Sequence, residues 1–123
     1  MASVSALGRD SSQVWSCYKS GDHALTNRGS DNRPQYVGRL REETLQAILA
    51  IRNSDPAYKD LDDSVLYAMH AARAAVRKAG WGPDVAFGVN LGSSRGATRL
   101  FERYYKEFLE TGATSTQASP TTT

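Results

Sequence analysis

Asp84-Val85-Ala86-Phe87-Gly88-Val89-Asn90-Leu91-Gly92-Ser93-Ser94-Arg95-Gly96-Ala97 decides how this chain is read. Val85 to Leu91 is a short, nearly continuous apolar run, the pattern of a strand covered on both faces. Gly92 to Ala97 is a turn of small residues. From Arg95 to Glu110 the spacing becomes helical, and Leu100, Phe101, Tyr104, Tyr105, Phe108 and Leu109 form one broad apolar and aromatic face. Strand, tight turn and helix in this order is how an α/β sheet presents a site at the carboxyl edge of a strand. The stretch therefore predicts an α/β chain.

Upstream, Asp62 or Asp63 caps a long helix. Val65, Met69, Ala72 and Val76 recur at helical spacing, with Ala68, Ala75 and Ala79 beside them. Such small residues allow close approach to a neighbour, so this helix is expected to be well buried. Gly80 and Gly82-Pro83 end it. A shorter helix is expected from Glu42 to Ile51, with Leu45, Ile48 and Leu49 on one face, closed by Ser54-Asp55-Pro56. Gln35 to Leu40 reads as a short edge strand and Asp22 to Pro34 as a loop. Ser11 and Ser12 can cap a first helix that passes through Val14, Trp15 and Tyr18 and stops at Gly21. Gly112 to Thr123 is low in complexity, a Ser/Thr-rich loop or tail.

At 123 residues, with 40% hydrophobic and 23% charged residues, the chain suits one globular domain with a modest core. Its net charge of +2 gives no argument for a nucleic-acid partner. No apolar run is long enough to span a membrane. The start, Met1 to Gly8, lacks the features of a secretory signal. The single cysteine, Cys17, cannot pair internally, and this favours a reducing cytoplasm. His23 and His70 are the only histidines, and neither has a second strong ligand at metal spacing, so neither metal nor other cofactor is expected.

Gly92 to Gly96 invites comparison with an anion cradle, with Ser93, Ser94 and Arg95 beside backbone donors at a helix start. Both phosphate-loop patterns fail: Ala97 stands between Gly96 and Thr98 where the Lys is needed, and Gly-x-Gly-x-x-Gly is absent. The plainer reading is that the glycines serve the turn while Ser93 or Ser94 caps the helix. Cys17 sits inside a short helix without a visible base, which favours packing over nucleophilic catalysis. His70 lacks a partner for general-base work and reads as a surface or interface residue. The stripe Phe101, Tyr104, Tyr105 and Phe108 reads as core; Phe101, one turn past the Gly-Ser turn, can also form a pocket wall.

Taken together, these segments resemble the N-terminal portion of a β-ketoacyl-acyl-carrier-protein synthase of the thiolase-like superfamily. Ser5-Ala6-Leu7-Gly8 is similar to the family's turn after its first strand, Trp15 to Gly21 to its first helix, and Gly80-Trp81 to the close of the helix before a central strand. Gly88 to Ala97 and Ser119-Pro120-Thr121-Thr122-Thr123 are the specific parts, close to bacterial fatty-acid and aryl-polyene condensing enzymes.

The resemblance implies an α/β fold: the N-terminal part of a thiolase-like fold, with layered helices and a mixed sheet, incomplete as given. Residues 1–111 would form a partial thiolase-like half, and residues 112–123 would lead towards the nucleophile region. It implies an acyltransferase that condenses an acyl thioester with malonyl-carrier protein in fatty-acid or polyketide-type synthesis. Its partners would be acyl carrier protein and acyl thioesters, and it would form a homodimer or associate with the remaining synthase half.

Cysteine suits such chemistry as a strong thiolate nucleophile. Two histidines assist decarboxylation, and backbone donors hold the oxyanion. By the same resemblance the cysteine elbow and both histidines lie beyond Thr123. Cys17, His23 and His70 match none of these motifs, so no catalytic residue is expected in this chain. The family's first apolar strand is represented only by Val4. Phe101 falls where the family borders its acyl pocket near the dimer interface, which makes it the one substrate-binding candidate. The expected chain is thus a synthase fragment, inactive alone and poorly stable. Its rivals are a non-catalytic α/β interaction module and a small anion-binding protein using Gly92 to Gly96.

Overall fold

The computed structural model describes residues 2–94 and 96–114. It holds α1 (Ser11–Ser20), a hairpin of β1 (Leu25–Asn27) and β2 (Tyr36–Gly38), α2 (Glu42–Asn53), a 3-10 turn (Pro56–Tyr58), α3 (Asp63–Ala79) and α4 (Thr98–Thr111). The architecture is mixed: helices accompanied by one small antiparallel sheet. Leu25 pairs with Gly38, Thr26 with Val37 and Asn27 with Tyr36. The strand expected over Gln35 to Leu40 is present in its middle. Its partner β1 falls in the segment read as loop.

Sequence polarity concealed β1, because both strands lie largely at the surface and carry no buried stripe. The hairpin is instead set by the turn. The Asn27 side chain accepts hydrogen bonds from the N–H groups of Gly29 and Gln35, both at 2.9 Å. At Gly29 a side chain would collide with the Arg33 carbonyl, so glycine is required there by close approach.

The helix ends follow local chemistry. Asp10, rather than Ser11 or Ser12, caps α1 and accepts from the Gln13 N–H at 2.9 Å. That bond, with one from the Ser12 hydroxyl, holds the Asp10 carboxyl below its ordinary range. Asp62 caps α3, accepting from the Ser64 N–H and hydroxyl. Gly80 closes α3 in the left-handed region at φ 69°.

The main core lies between α2 and α3. Ile48, Ile51 and Leu66 are buried, and Val4, Leu40, Tyr58, Leu61, Tyr67 and Met69 pack around them. Leu66 is 0% exposed. The stripe expected to be well buried, Val65, Met69, Ala72 and Val76, is only half-buried. Ile51, at the expected end of α2, enters the core, whereas Leu49 faces out. Contact with α3 therefore runs along a narrower line than the apolar count suggested.

The N-terminal segment is tied in by Arg41. Its Nη2 donates to the Leu7 carbonyl at 3.0 Å and lies 3.7 Å from the Cys17 sulfur. Cys17 is buried and donates to the same carbonyl, the packed role expected of it.

Candidate functional site

The stretch from Asp84 to Thr111 is where the structure departs furthest from the sequence expectation. Val85 to Leu91 forms no strand. Every residue from Trp81 to Ser94 is exposed, with Val89 at 66% and Leu91 at 67%. Among the described residues the only sheet is the β1–β2 pair, so this run has no neighbour to supply ladder hydrogen bonds. An apolar run states a demand for burial, but a lone segment cannot be a sheet strand. Its one aromatic contact is local: Phe87 meets Trp81 with ring centroids 5.2 Å apart.

Around the expected Gly92 to Ala97 turn, one described hydrogen bond lies within the segment itself. The Ser93 hydroxyl accepts from the Gly96 N–H at 2.9 Å, occupying a donor that an anion cradle would use. Gly96 adopts φ 61°. Arg95, the third polar member of that candidate, lies outside the described residues. The helix begins at Thr98 rather than Arg95, and Ala97, not a serine, stands at its N-cap without a side-chain bond. Ser93 thus binds a backbone N–H ahead of the helix and does not cap it.

Helix α4 is split by its own amphipathicity. Leu100 and Tyr104 are buried with Ala97 in a small second cluster. Phe101, Tyr105, Phe108 and Leu109 are exposed, so the aromatic stripe read as core is core on one side only. Phe101 is 64% exposed and lies nearly parallel to Tyr105, centroids 6.0 Å apart and 6° between planes. The expected acyl-pocket residue therefore faces out from α4 as part of an apolar surface. Leu100 and Tyr104 lie on the buried side of the same helix.

The other sequence candidates do not join this surface into a catalytic group. Cys17 belongs to the α1–Arg41 contact. His23 Nδ1 accepts from the Leu25 N–H at 3.0 Å, a local turn bond. His70 is half-buried on α3, and burial, with Arg77 and Arg9 as lesser causes, pulls its pKa below the ordinary value. Among the described residues no group of His, Cys, Asp and Glu is arranged to hold a metal ion. No helix among them is long and apolar enough to cross a membrane. Ser119 to Thr123, the second specific segment of the family resemblance, lies outside the described residues.

Sequence reasoning missed a polar junction at the start of α4. Asp63 binds Arg52 of α2 at 2.5 Å and Arg99 of α4 at 2.8 Å. Nothing in the spacing of these residues announces the contact, because they come from three different elements. Comparison of the chain with protein-family models, curated proteins and solved structures yields no match.

Proposed function

We propose that this chain is the N-terminal portion of a β-ketoacyl synthase, an acyltransferase that joins an acyl thioester to a malonyl unit on a carrier protein. The observation that carries the reading is the segment Gly88 to Ala97, taken with Ser119 to Thr123 at the separation the family has. The exposed apolar surface supports it. Val85, Phe87, Val89 and Leu91 precede the turn, and Phe101, Tyr105, Phe108 and Leu109 follow it, all open to solvent. Exposed large apolar side chains in such number are normally covered by a partner or by the rest of a protein. In this reading Val85 to Leu91 becomes a central strand once neighbouring strands supply its ladder, and Phe101 then borders the acyl pocket.

The thiolate and the two histidines of the reaction belong to parts of the parent outside these residues. The chain alone positions the pocket wall and forms no acyl-enzyme. Two experiments test this. Purified chain incubated with acyl- and malonyl-carrier protein gives no condensation product, and turnover that persists after removal of contaminating synthase sinks the proposal. The coding sequence on either side is expected to carry an in-frame cysteine elbow downstream and an apolar strand upstream; their absence from both flanks sinks it equally.

The same exposed surface favours one other reading, a non-catalytic module bound to another protein. A stable, monodisperse complex with a partner unrelated to synthases would select that reading.

A further inference from the structure

The junction at the foot of α4 borders an open cleft of about 300 Å³, lined by Arg52, Lys59, Asp60, Leu61, Asp62, Asp63, Arg99, Leu100 and Arg103. It is separate from the exposed surface of Phe101. Four cations and three carboxylates meet there, and the hydrogen bonds determine which of them remain open to a ligand.

Asp62 is 9% exposed, and its Oδ1 accepts from both the N–H and the hydroxyl of Ser64. Asp63 is occupied by Arg52 and Arg99. Arg52 is occupied in turn: Nη1 donates to the Lys59 and Leu61 carbonyls at 2.7 and 3.1 Å, and Nη2 to Asp63. Three cations keep donors in reserve. Arg99 binds Asp63 through Nη1 alone. Arg103 is held by the Tyr104 hydroxyl at 3.0 Å and by the Tyr104 ring, 4.9 Å from centroid to guanidinium carbon. Lys59 has its carbonyl pinned by Arg52, and no hydrogen bond or ion pair engages its ammonium among the described residues. Against these three stands Asp60, the carboxylate of the lining with no hydrogen bond or ion pair among the described residues.

We infer that this cleft is a binding site for the phosphate group of a small phosphorylated organic molecule, held by Lys59, Arg99 and Arg103, with Leu61 and Leu100 as the wall for the organic part. Guanidinium groups match phosphate oxygens in geometry as well as charge, and the lysine adds a mobile point charge. Arg99 and Arg103 are each held by one bond that leaves other N–H groups unused, while the Lys59 side chain is ordered on binding. The volume lies at the lower end of small-ligand clefts and exceeds what a bare phosphate requires. This inference is independent of the synthase proposal, because none of its residues belongs to the Phe101 surface.

The test is a titration of the full chain, followed by amide chemical shifts, with phenyl phosphate, inorganic phosphate, and sodium chloride at matched ionic strength. Phenyl phosphate is expected to give saturable shifts at Lys59 to Asp63 and Arg99 to Arg103, tighter than inorganic phosphate, with chloride inert. Lys59→Ala and Arg103→Ala each weaken binding by about fivefold or more, the loss of one charge-assisted contact. Asp60→Asn tightens it by about twofold or more, by removing like charge; a misfolded variant cannot imitate that gain. The inference is overturned by absence of saturable shifts, by equal shifts with chloride, by inorganic phosphate binding as tightly as the ester, or by affinities unchanged in the three variants.

Discussion

Asp63 and Arg99 form a 2.8 Å ion pair across 36 positions of sequence, joining the first turn of α3 to the first turn of α4. The same carboxylate holds Arg52 of α2. One side chain thus links three helices, and the buried Leu100 and Tyr104 sit immediately beyond it on α4.

Asp63→Asn is expected to lower stability by about 1–2 kcal/mol, because it removes two charge-assisted bonds and leaves the half-buried Arg52 without its counter-ion. Arg99→Ala costs less, about 0–1 kcal/mol, since the Arg99 side chain is largely in water. Urea unfolding midpoints of the two variants check the order. Equal effects would mean that Asp63 matters through Arg99 rather than Arg52.

Leu66→Ala is expected to cost about 2–5 kcal/mol, by the cavity it opens between α2 and α3. Leu66 is the most fully enclosed apolar residue among the described residues, and total stability for a domain of this kind is only about 5–15 kcal/mol. Leu49→Ala, on the outer face of α2, is expected to change stability by less than about 1 kcal/mol. Thermal unfolding followed by circular dichroism separates the two.

Capping of α3 gives a third expectation. Asp62→Ala removes the acceptor for Ser64 and is expected to cost about 1 kcal/mol. Gly80→Ala forces a Cβ into the left-handed region and is expected to cost about 1–2 kcal/mol, although no atom lies within 4 Å of where that Cβ would sit. The penalty there is one of conformation, not collision. Unchanged melting temperature in Gly80→Ala would contradict the cap geometry.

His70 sets a pH dependence. Burial, then Arg77 and Arg9, lowers its pKa from 6.5, so the folded state binds its proton less readily than the unfolded chain. Between the two pKa values the unfolded state carries more protons, and stability rises with pH. The His70 contribution is therefore complete above 6.5 and is lost as pH falls through the lowered value. His70→Gln is expected to flatten the melting-temperature profile between about pH 5 and pH 7. A profile as steep as that of the parent chain would exclude His70 as the cause.

Much of the helical framework was legible because its signals are local. Asp62 before Ser64, Gly21 and Gly80 after the last helical turns, and Pro56 after Asp55 act within a few residues. Two elements escaped. Leu25 to Asn27 reads as polar loop, and only its pairing with Tyr36 to Gly38 makes it a strand. Val85 to Leu91 reads as a strand, yet no strand pairs with it among the described residues. In both cases the deciding partner lies outside the window being read.

By itself the sequence determined the glycine stops at Gly21 and Gly80, the packed state of Cys17 and the amphipathic character of α4. These follow from backbone conformation and spacing, which neighbours in the chain specify. Only the tertiary structure decided that Phe101 faces outward while Leu100 and Tyr104 face in. It also placed Arg52, Asp63 and Arg99 at one junction and left Val85 to Leu91 uncovered. An apolar side chain specifies how much burial it demands, not which surface meets that demand; that is settled by contacts between residues distant in sequence.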